Sequence, residues 1–201
     1  MNRKALALSV LSLVATLSFA QAPQPALKVG ATPVPHAELL RLVASELAAQ
    51  GIKLEVVEFT DYVTPNIALA EGQLDANFFQ HVPYLESFSA ERKLSLEAAG
   101  AIHVEPLGVY SKKYLSLDAL PSGATIAIPN DPTNEGRALL LLASKGLITL
   151  KPGAGLKATL RDTASNPRKF KFRELEAAQL PRTLADVAAS VINGNYAILA
   201  G

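Results

Sequence analysis

Two phenylalanine rings, an imidazole and a phenol lie close together along one short segment of the chain, Asp75 to Tyr84. Leu74 to Phe78 is predicted to be a short strand, and Pro83 suits the first turn of a following helix because its missing N–H removes no bond there. The side chains between them would then lie at the carboxyl end of a strand, where ligands bind in open α/β sheets. This mixed set suggests recognition of a small amphipathic molecule, although aromatic residues beside a turn also pack into cores.

A second segment with binding chemistry is Pro132 to Arg137, which leads into a Leu-rich helix predicted over Ala138 to Lys145 with Thr133 as its N-cap. A helix N-terminus attracts anions, and Arg137, about one turn into the helix, could hold a carboxylate through two parallel bonds. Gly136 would let a ligand approach the backbone closely. A surface arginine on an ordinary capped helix explains the same pattern.

Catalytic and metal-binding patterns are weak in this sequence. The three histidines, His36, His81 and His103, lack the His-Glu-x-x-His spacing, and the chain contains no cysteine. The Gly-x-Gly at Gly153 and Gly155 lacks the third glycine of a nucleotide-binding loop, and no Gly-x-Ser-x-Gly turn or distinct carboxylate pair occurs. The sequence therefore predicts no catalytic residue, no metal site and no cofactor.

The N-terminus has the features of a secretory signal peptide. Asn2-Arg3-Lys4 is followed by an apolar run from Ala5 to Ala15 and by Ser18-Phe19-Ala20, so residues 1–20 are predicted to be removed by cleavage after Ala20. Residues 21–26 form a Pro-rich tether. We therefore expect a protein of the periplasm or cell envelope.

The composition limits the binding partners and the sources of stability that the chain can have. The formal net charge of the whole chain is +1, which gives no reason to propose nucleic acid or an anionic membrane as a partner. With 49% hydrophobic residues and no cysteine, the chain must be stabilised by packing, without disulfides.

The order of the predicted elements favours an α/β fold. Leu27 to Ala31 and Leu54 to Phe59 read as strands, His36 to Gln50 as a helix, and Thr64-Pro65 as the start of another, so the first half predicts a parallel sheet covered on both faces. His103 to Ser111 reads as a longer strand that crosses between two lobes. Lobe I is placed at residues 27–106, and lobe II, of the same character, at residues 107–193.

With its ordered motifs the chain resembles the NlpA/MetQ family of methionine-binding proteins, the solute receptors of methionine ABC importers, from Leu27 to Gly201. The matching segments are Phe59 to Asn66, Asp75 to His81 with Pro83 and Tyr84, Tyr110 to Lys113, Pro129 to Asn134 with Gly136 and Arg137, Glu174 to Glu176, Gln179 to Arg182, and Val191 to Asn193.

The resemblance implies a type II periplasmic-binding-protein fold, with two α/β lobes and a ligand cleft between them. It further implies a monomer without enzymatic activity that binds methionine, as the L or D form, and delivers it to a membrane permease with a separate ATPase. The residues at the family's binding positions are Tyr62, Phe79 and Tyr84 in the aromatic pocket, His81 beside them, Arg137 for the carboxylate and Asn193 for the amino-acid head.

Two departures from the family pattern shape the remaining expectations. The chain has no cysteine for lipid attachment, so we expect release into the periplasm or a tether through a partner only. It ends at Gly201, so residues 194–201 would be the start of a truncated return to an incomplete lobe I. A truncated paralogue that binds nothing, or a secreted enzyme acting on a small amino-acid derivative with His81 as general base, are the alternatives.

Overall fold

The computed structural model describes residues 26–201, so the predicted signal peptide and residues 21–25 of the predicted tether lie outside the described part. Within that part, no helix has both the length and the apolar character needed to cross a bilayer.

Three parallel strands form the first sheet, in the order β2-β1-β3. The strands and the helices that alternate with them are β1 (Leu27–Ala31), α1 (Glu38–Ala49), β2 (Leu54–Glu58), α2 (Thr64–Ala70), β3 (Ala76–Phe78) and α3 (Val82–Arg92). The predicted parallel arrangement is confirmed by pairing of β1 with both neighbours in parallel register. As predicted, Pro83 lies in the first turn of α3.

A helical turn at Pro33–Ala37 connects β1 to α1 and buries His36, which is only 4% exposed. Its Nδ1 atom lies 2.6 Å from the Thr32 hydroxyl oxygen. Burial, and then the neighbouring His103, lower the pKa of His36 to about 4, so this imidazole is neutral at neutral pH.

The second sheet is mixed, with the strand order β4-β9-β5-β8. Its strands are β4 (Leu107–Tyr110), β5 (Thr125–Pro129), β8 (Lys171–Leu175) and β9 (Ala189–Asn193). β5 runs parallel to β8 and β9, whereas β4 pairs antiparallel with β9. Every residue of β9 is buried, so this strand lies in the core. The two sheets draw on residues 27–78 and 107–193, and the lobe boundary after residue 106 stays a prediction.

The longer strand expected over His103 to Ser111 is wrong at both ends, because β4 covers only Leu107–Tyr110. Pro106 has no N–H to donate to a ladder. The carbonyl oxygens of Glu105 and Pro106 instead accept hydrogen bonds from Arg137 and from the Gly194 N–H. The Gly194 bond extends the β4–β9 pairing by one residue, whereas the Glu105 carbonyl oxygen is bonded to a side chain and not to a neighbouring strand.

Helix α4 (Pro132–Ser144) packs its Leu139 and Leu142 side chains into the main core. Its N-cap is Asp131, whose Oδ1 accepts from the Asn134 N–H at 2.9 Å, so the predicted cap at Thr133 is wrong. The reason is Pro132, which fits the first helical position and moves the start of the helix two residues earlier than expected.

Gly136 contacts protein backbone, so its predicted role in ligand approach is wrong. A Cβ atom at this position would lie 2.1 Å from the carbonyl oxygen of Leu156, in the 3₁₀ turn Gly155–Lys157. The missing side chain therefore allows α4 to pack directly against that turn.

The remaining elements complete the second half of the chain. They are the short strands β6 (Thr149–Leu150) and β7 (Thr163–Ser165), a 3₁₀ helix at Ala177–Ala185, and α5 (Gly194–Leu199), which directly follows β9.

We expect the substitution Gly136→Ala to lower the free energy of unfolding by about 1–3 kcal/mol, because the added methyl would overlap backbone that cannot rotate away. Gly100→Ala is the matched control, since a Cβ there meets no heavy atom within 4 Å. Urea denaturation followed by circular dichroism measures both. Equal stability of the two variants would contradict the assigned contact.

Candidate ligand-binding site

Three aromatic residues from the first half of the chain, which the family resemblance places at aromatic pocket positions, lie close together in the structure. Tyr62 precedes α2, Phe79 follows β3, and Tyr84 lies in the first turn of α3. The Tyr62 ring centroid is 5.9 Å from that of Phe79 and 5.9 Å from that of Tyr84, and the last two are 6.3 Å apart. These separations suit edge and offset contacts between rings, and Phe79 and Tyr84 are each only 6% exposed.

The phenol groups join this aromatic cluster to the chain that follows β9. Tyr84 donates to the Tyr62 carbonyl oxygen at 2.9 Å, and Tyr62 donates to Asn195 Oδ1 at 2.6 Å. The Tyr196 ring lies 5.0 Å from the Tyr62 ring, and its hydroxyl donates to the Thr60 carbonyl oxygen at 3.1 Å. Burial is the main cause that raises the pKa of all three tyrosines, so they remain protonated donors.

A polar cluster forms around the side chain of Asn134, near the N-terminus of α4. Its Oδ1 accepts from Arg137 Nη1 and from Asn193 Nδ2, both at 3.0 Å. Its Nδ2 donates to both carboxylate oxygens of Asp131 at 3.0 Å. Arg137 Nη2 also donates to the Glu105 carbonyl oxygen at 2.9 Å. One amide thus positions both residues predicted to hold a ligand's head group.

Arg137 is a partly buried cation that makes no ion pair with any carboxylate among residues 26–201. Burial lowers the pKa of Arg137, but a guanidinium stays charged in proteins. Its two intramolecular bonds leave three of its five N–H groups free. A partly desolvated charge with spare donors is suited to binding an anion.

Two of the predicted site residues each have a buried polar atom without a hydrogen-bond partner in the described part of the chain, namely His81 Nε2 and Asn193 Oδ1. His81 caps α3, since its Nδ1 accepts from the Tyr84 N–H at 3.0 Å. Burial mainly, and the charge of Arg137 in addition, lower the pKa of His81. A neutral ring that accepts at Nδ1 carries its proton on Nε2, so the free groups are one donor and one acceptor.

The structure thus brings the six predicted site residues into two neighbouring groups. The aromatic cluster and His81 lie on one side, and Arg137 and Asn193 on the other, with α3 packed against α4. Their assignment to a ligand stays a prediction.

Sequence reasoning missed Asn134, Asn195 and Tyr196. The carboxyl end of β9 was the available signal for the last two, because Asn195 and Tyr196 directly follow that strand. Asn134 was not recognised because the N-cap was assigned to Thr133, whereas Asn134 bonds to the actual N-cap, Asp131.

A cavity of about 320 Å³ lies beside the start of α4, with Tyr84, Phe88, Asp131 and Glu176 in its lining. Of the six predicted residues only Tyr84 lines it. The convergence of side chains, and not this cavity, therefore defines the candidate site.

Comparisons with known proteins point to a single family. The family model described as NlpA lipoprotein matches residues 27–201. The D-methionine-binding lipoprotein MetQ of Escherichia coli strain K12 is 50% identical over 163 residues, which cover 80% of this chain and 59% of that protein. The chain therefore spans less than two thirds of this relative's length.

Two solved structures share the fold. A nutrient-binding protein from Burkholderia cenocepacia bound to methionine is 52% identical, with a TM-score of 0.83 over 87% of this chain and 74% of the other. A periplasmic substrate-binding protein of an ABC transporter from Coxiella burnetii is 46% identical, with a TM-score of 0.83 over 87% of this chain and 74% of the other. These neighbours confirm the predicted α/β periplasmic-binding-protein fold.

We expect His81 to make folding stability depend on pH. Because its pKa in the folded state lies below the unfolded value of about 6.5, the unfolded chain binds more protons between the two values. The unfolding free energy of the wild type therefore falls as the pH drops below about 6.5. His81→Asn keeps a capping acceptor but lacks this titration, so its stability should fall less.

Urea denaturation of both proteins across a pH series measures the difference. Parallel stability curves for wild type and His81→Asn would contradict the burial assigned to this ring.

Proposed function

The chain belongs to the NlpA lipoprotein family, and on this premise we propose that it is an extracytoplasmic solute-binding protein that captures methionine, as the L or D form, for an ABC importer. The observation that carries the proposal is that a buried aromatic cluster lies near Arg137, a cation that makes no ion pair in residues 26–201. The methionine-bound neighbour from Burkholderia cenocepacia supports the choice of ligand.

The aromatic cluster suits the thioether of methionine. Sulfur near aromatic ring edges gains about 0.3–1.5 kcal/mol per contact, and Tyr62, Phe79 and Tyr84 present edges and faces at several angles. The hydroxyl groups of Tyr62 and Tyr84 are already bonded to protein acceptors, so the surface left for a ligand side chain is largely apolar.

The polar cluster suits the zwitterionic head group. The free N–H groups of Arg137 would hold the carboxylate, with the Nε2–H of His81 as a further donor. The free Oδ1 of Asn193 would accept from the ammonium group. Each of these atoms thereby gains the partner that burial demands.

The remaining parts of the proposal concern location and partners. We place the protein outside the cytoplasm, exported by the predicted signal peptide, as a monomer that delivers its ligand to a membrane permease with a separate ATPase. The solved neighbour from Coxiella burnetii, a periplasmic substrate-binding protein of an ABC transporter, supports this placement. No step of the proposed role requires catalysis.

Removing the charge of Arg137 should weaken methionine binding about 30-fold or more, because truncating one partner of a buried charge pair costs about 2 kcal/mol or more. Arg137→Ala is compared with Arg173→Ala, which removes a positive charge from an exposed position on β8. Isothermal titration with L- and D-methionine measures affinity, and thermal melting without ligand measures stability. Arg173→Ala should bind as the wild type does.

The titration is made on this chain and on a version extended at its C-terminus to the length of the relatives. If neither form binds either enantiomer, the proposed function is wrong. If Arg137→Ala loses melting temperature but binds methionine normally, the arginine is structural and the head-group assignment is wrong.

A further inference from the structure

We propose that His36, His103 and Glu105 form a binding site for Zn²⁺ or a similar divalent transition-metal ion, separate from the methionine-binding atoms. One ligand atom from each residue lies within 4.8 Å of the other two. The Nε2 atoms of His36 and His103 are 4.0 Å and 3.7 Å from Glu105 Oε1. Two imidazoles and one carboxylate are a ligand set that zinc uses in proteins.

The hydrogen bond at the far side of the His36 ring supports a role in coordination. Nδ1 lies 2.6 Å from the Thr32 hydroxyl oxygen, which can accept a hydrogen bond from a protonated Nδ1. The tautomer with its proton on Nδ1 leaves a lone pair on Nε2, the nitrogen that lies 4.0 Å from Glu105 Oε1. Metal-bound histidines are commonly oriented by such a second bond.

Phe78 supports the two rings by packing at right angles to both. Its centroid is 4.7 Å from that of His36 and 5.5 Å from that of His103, with interplanar angles of 87° and 89°. The two imidazole centroids are 5.1 Å apart. The Phe78 ring therefore keeps the imidazoles close together.

Glu105 contributes a buried carboxylate oxygen that faces both histidines, 3.7 Å from His103 Nε2 and 4.0 Å from His36 Nε2. Its Oε1 is buried and has no hydrogen-bond partner among residues 26–201. A carboxylate oxygen removed from water without a donor is costly, and a cation would satisfy it. The side chains of His103 and Glu105 remain 27% and 21% exposed, so an ion can reach the site from solvent.

The distances require only a small adjustment. Zinc–nitrogen and zinc–oxygen bonds of about 2.0–2.2 Å place tetrahedral ligand atoms about 3.3 Å apart. Glu105 Oε1 would therefore approach the two nitrogens by less than about 1 Å, and the ligand nitrogens of the two histidines, which lie within 4.8 Å of each other, would approach by up to about 1.5 Å. Rotation of the partly exposed His103 and Glu105 side chains provides these shifts. Three protein ligands leave one position for water.

The test is zinc binding by the full chain, with Asn substitutions at two of its three histidines as a matched pair. His103→Asn removes a proposed ligand, whereas His81→Asn removes a histidine outside the cluster and keeps a capping acceptor for α3. Isothermal titration with Zn²⁺ gives stoichiometry and affinity, and Co²⁺ absorption reports coordination geometry. Circular dichroism confirms that each variant is folded.

We expect one zinc ion per wild-type chain, with His103→Asn and Glu105→Gln each weakening binding about 100-fold or more, since losing even an outer partner costs about 10–100-fold. His81→Asn should bind zinc as tightly as the wild type. Absence of zinc binding by the wild type would overturn the proposal. So would equal affinities of wild type, His103→Asn and Glu105→Gln. These readouts do not involve methionine, so they stand whether or not the proposed function holds.

Discussion

The side-chain amide of Asn134 is the contact on which the polar half of the candidate site depends. It is 2% exposed, and it bonds at once to the cap of α4, to Arg137 and to the last residue of β9. In a buried network each group polarises its neighbours, and a missing member leaves the others unpaired. The amide therefore locks the start of a helix to the end of a strand. It also fixes the direction of the Arg137 guanidinium before any ligand arrives, which reduces the ordering that binding must impose.

The aromatic half is held by a different kind of contact. Its hydroxyl groups reach backbone carbonyl oxygens and Asn195, and the bonds of Tyr62 and Tyr196 each link the first half of the chain to α5. Burial keeps these phenols protonated, so the links are insensitive to pH in the physiological range. The polar groups of the aromatic cluster are thus hydrogen-bonded within the protein, whereas those beside Arg137 keep unpaired donors and acceptors. That division is what a ligand with an apolar tail and a charged head requires.

Local sequence signals predicted much of this arrangement. The strand-to-helix corner at Asp75 to Tyr84 follows from a short apolar run and a well-placed proline, and β1 has the predicted bounds. The predicted N-cap of α4 was wrong because Asp131 and Thr133 are both good capping residues. Only the position of Pro132 between them decides which one starts the helix.

Other features could not be predicted because they depend on tertiary contacts. Gly136 faces a turn twenty residues further along the chain, and no local pattern reveals which surface will approach a glycine. His36 and His103 are far apart in sequence and come together only in the folded chain, where the Phe78 ring packs against both. A search for metal sites by spacing cannot detect ligands that different elements contribute.

The segment between α3 and β4 has neither helix nor strand, so its order must come from a few specific bonds. Glu105 and Pro106 are held through their carbonyl oxygens by Arg137 and by the N–H of Gly194, where a side chain would lie 2.9 Å from the Pro106 oxygen. The carboxylate of Glu105 meanwhile faces His36, which is fixed beside β1. One residue therefore contacts both sites, through its backbone to the guanidinium and through its side chain to the histidine pair. A shift in the backbone of Glu105 would move both the carbonyl oxygen that accepts from Arg137 and the carboxylate of the proposed zinc site. The two sites are therefore structurally coupled through this residue. Because binding free energies are linked reciprocally, an ion that favoured one position of this segment would change the affinity for the proposed methionine ligand by the same factor by which methionine would change the affinity for the ion.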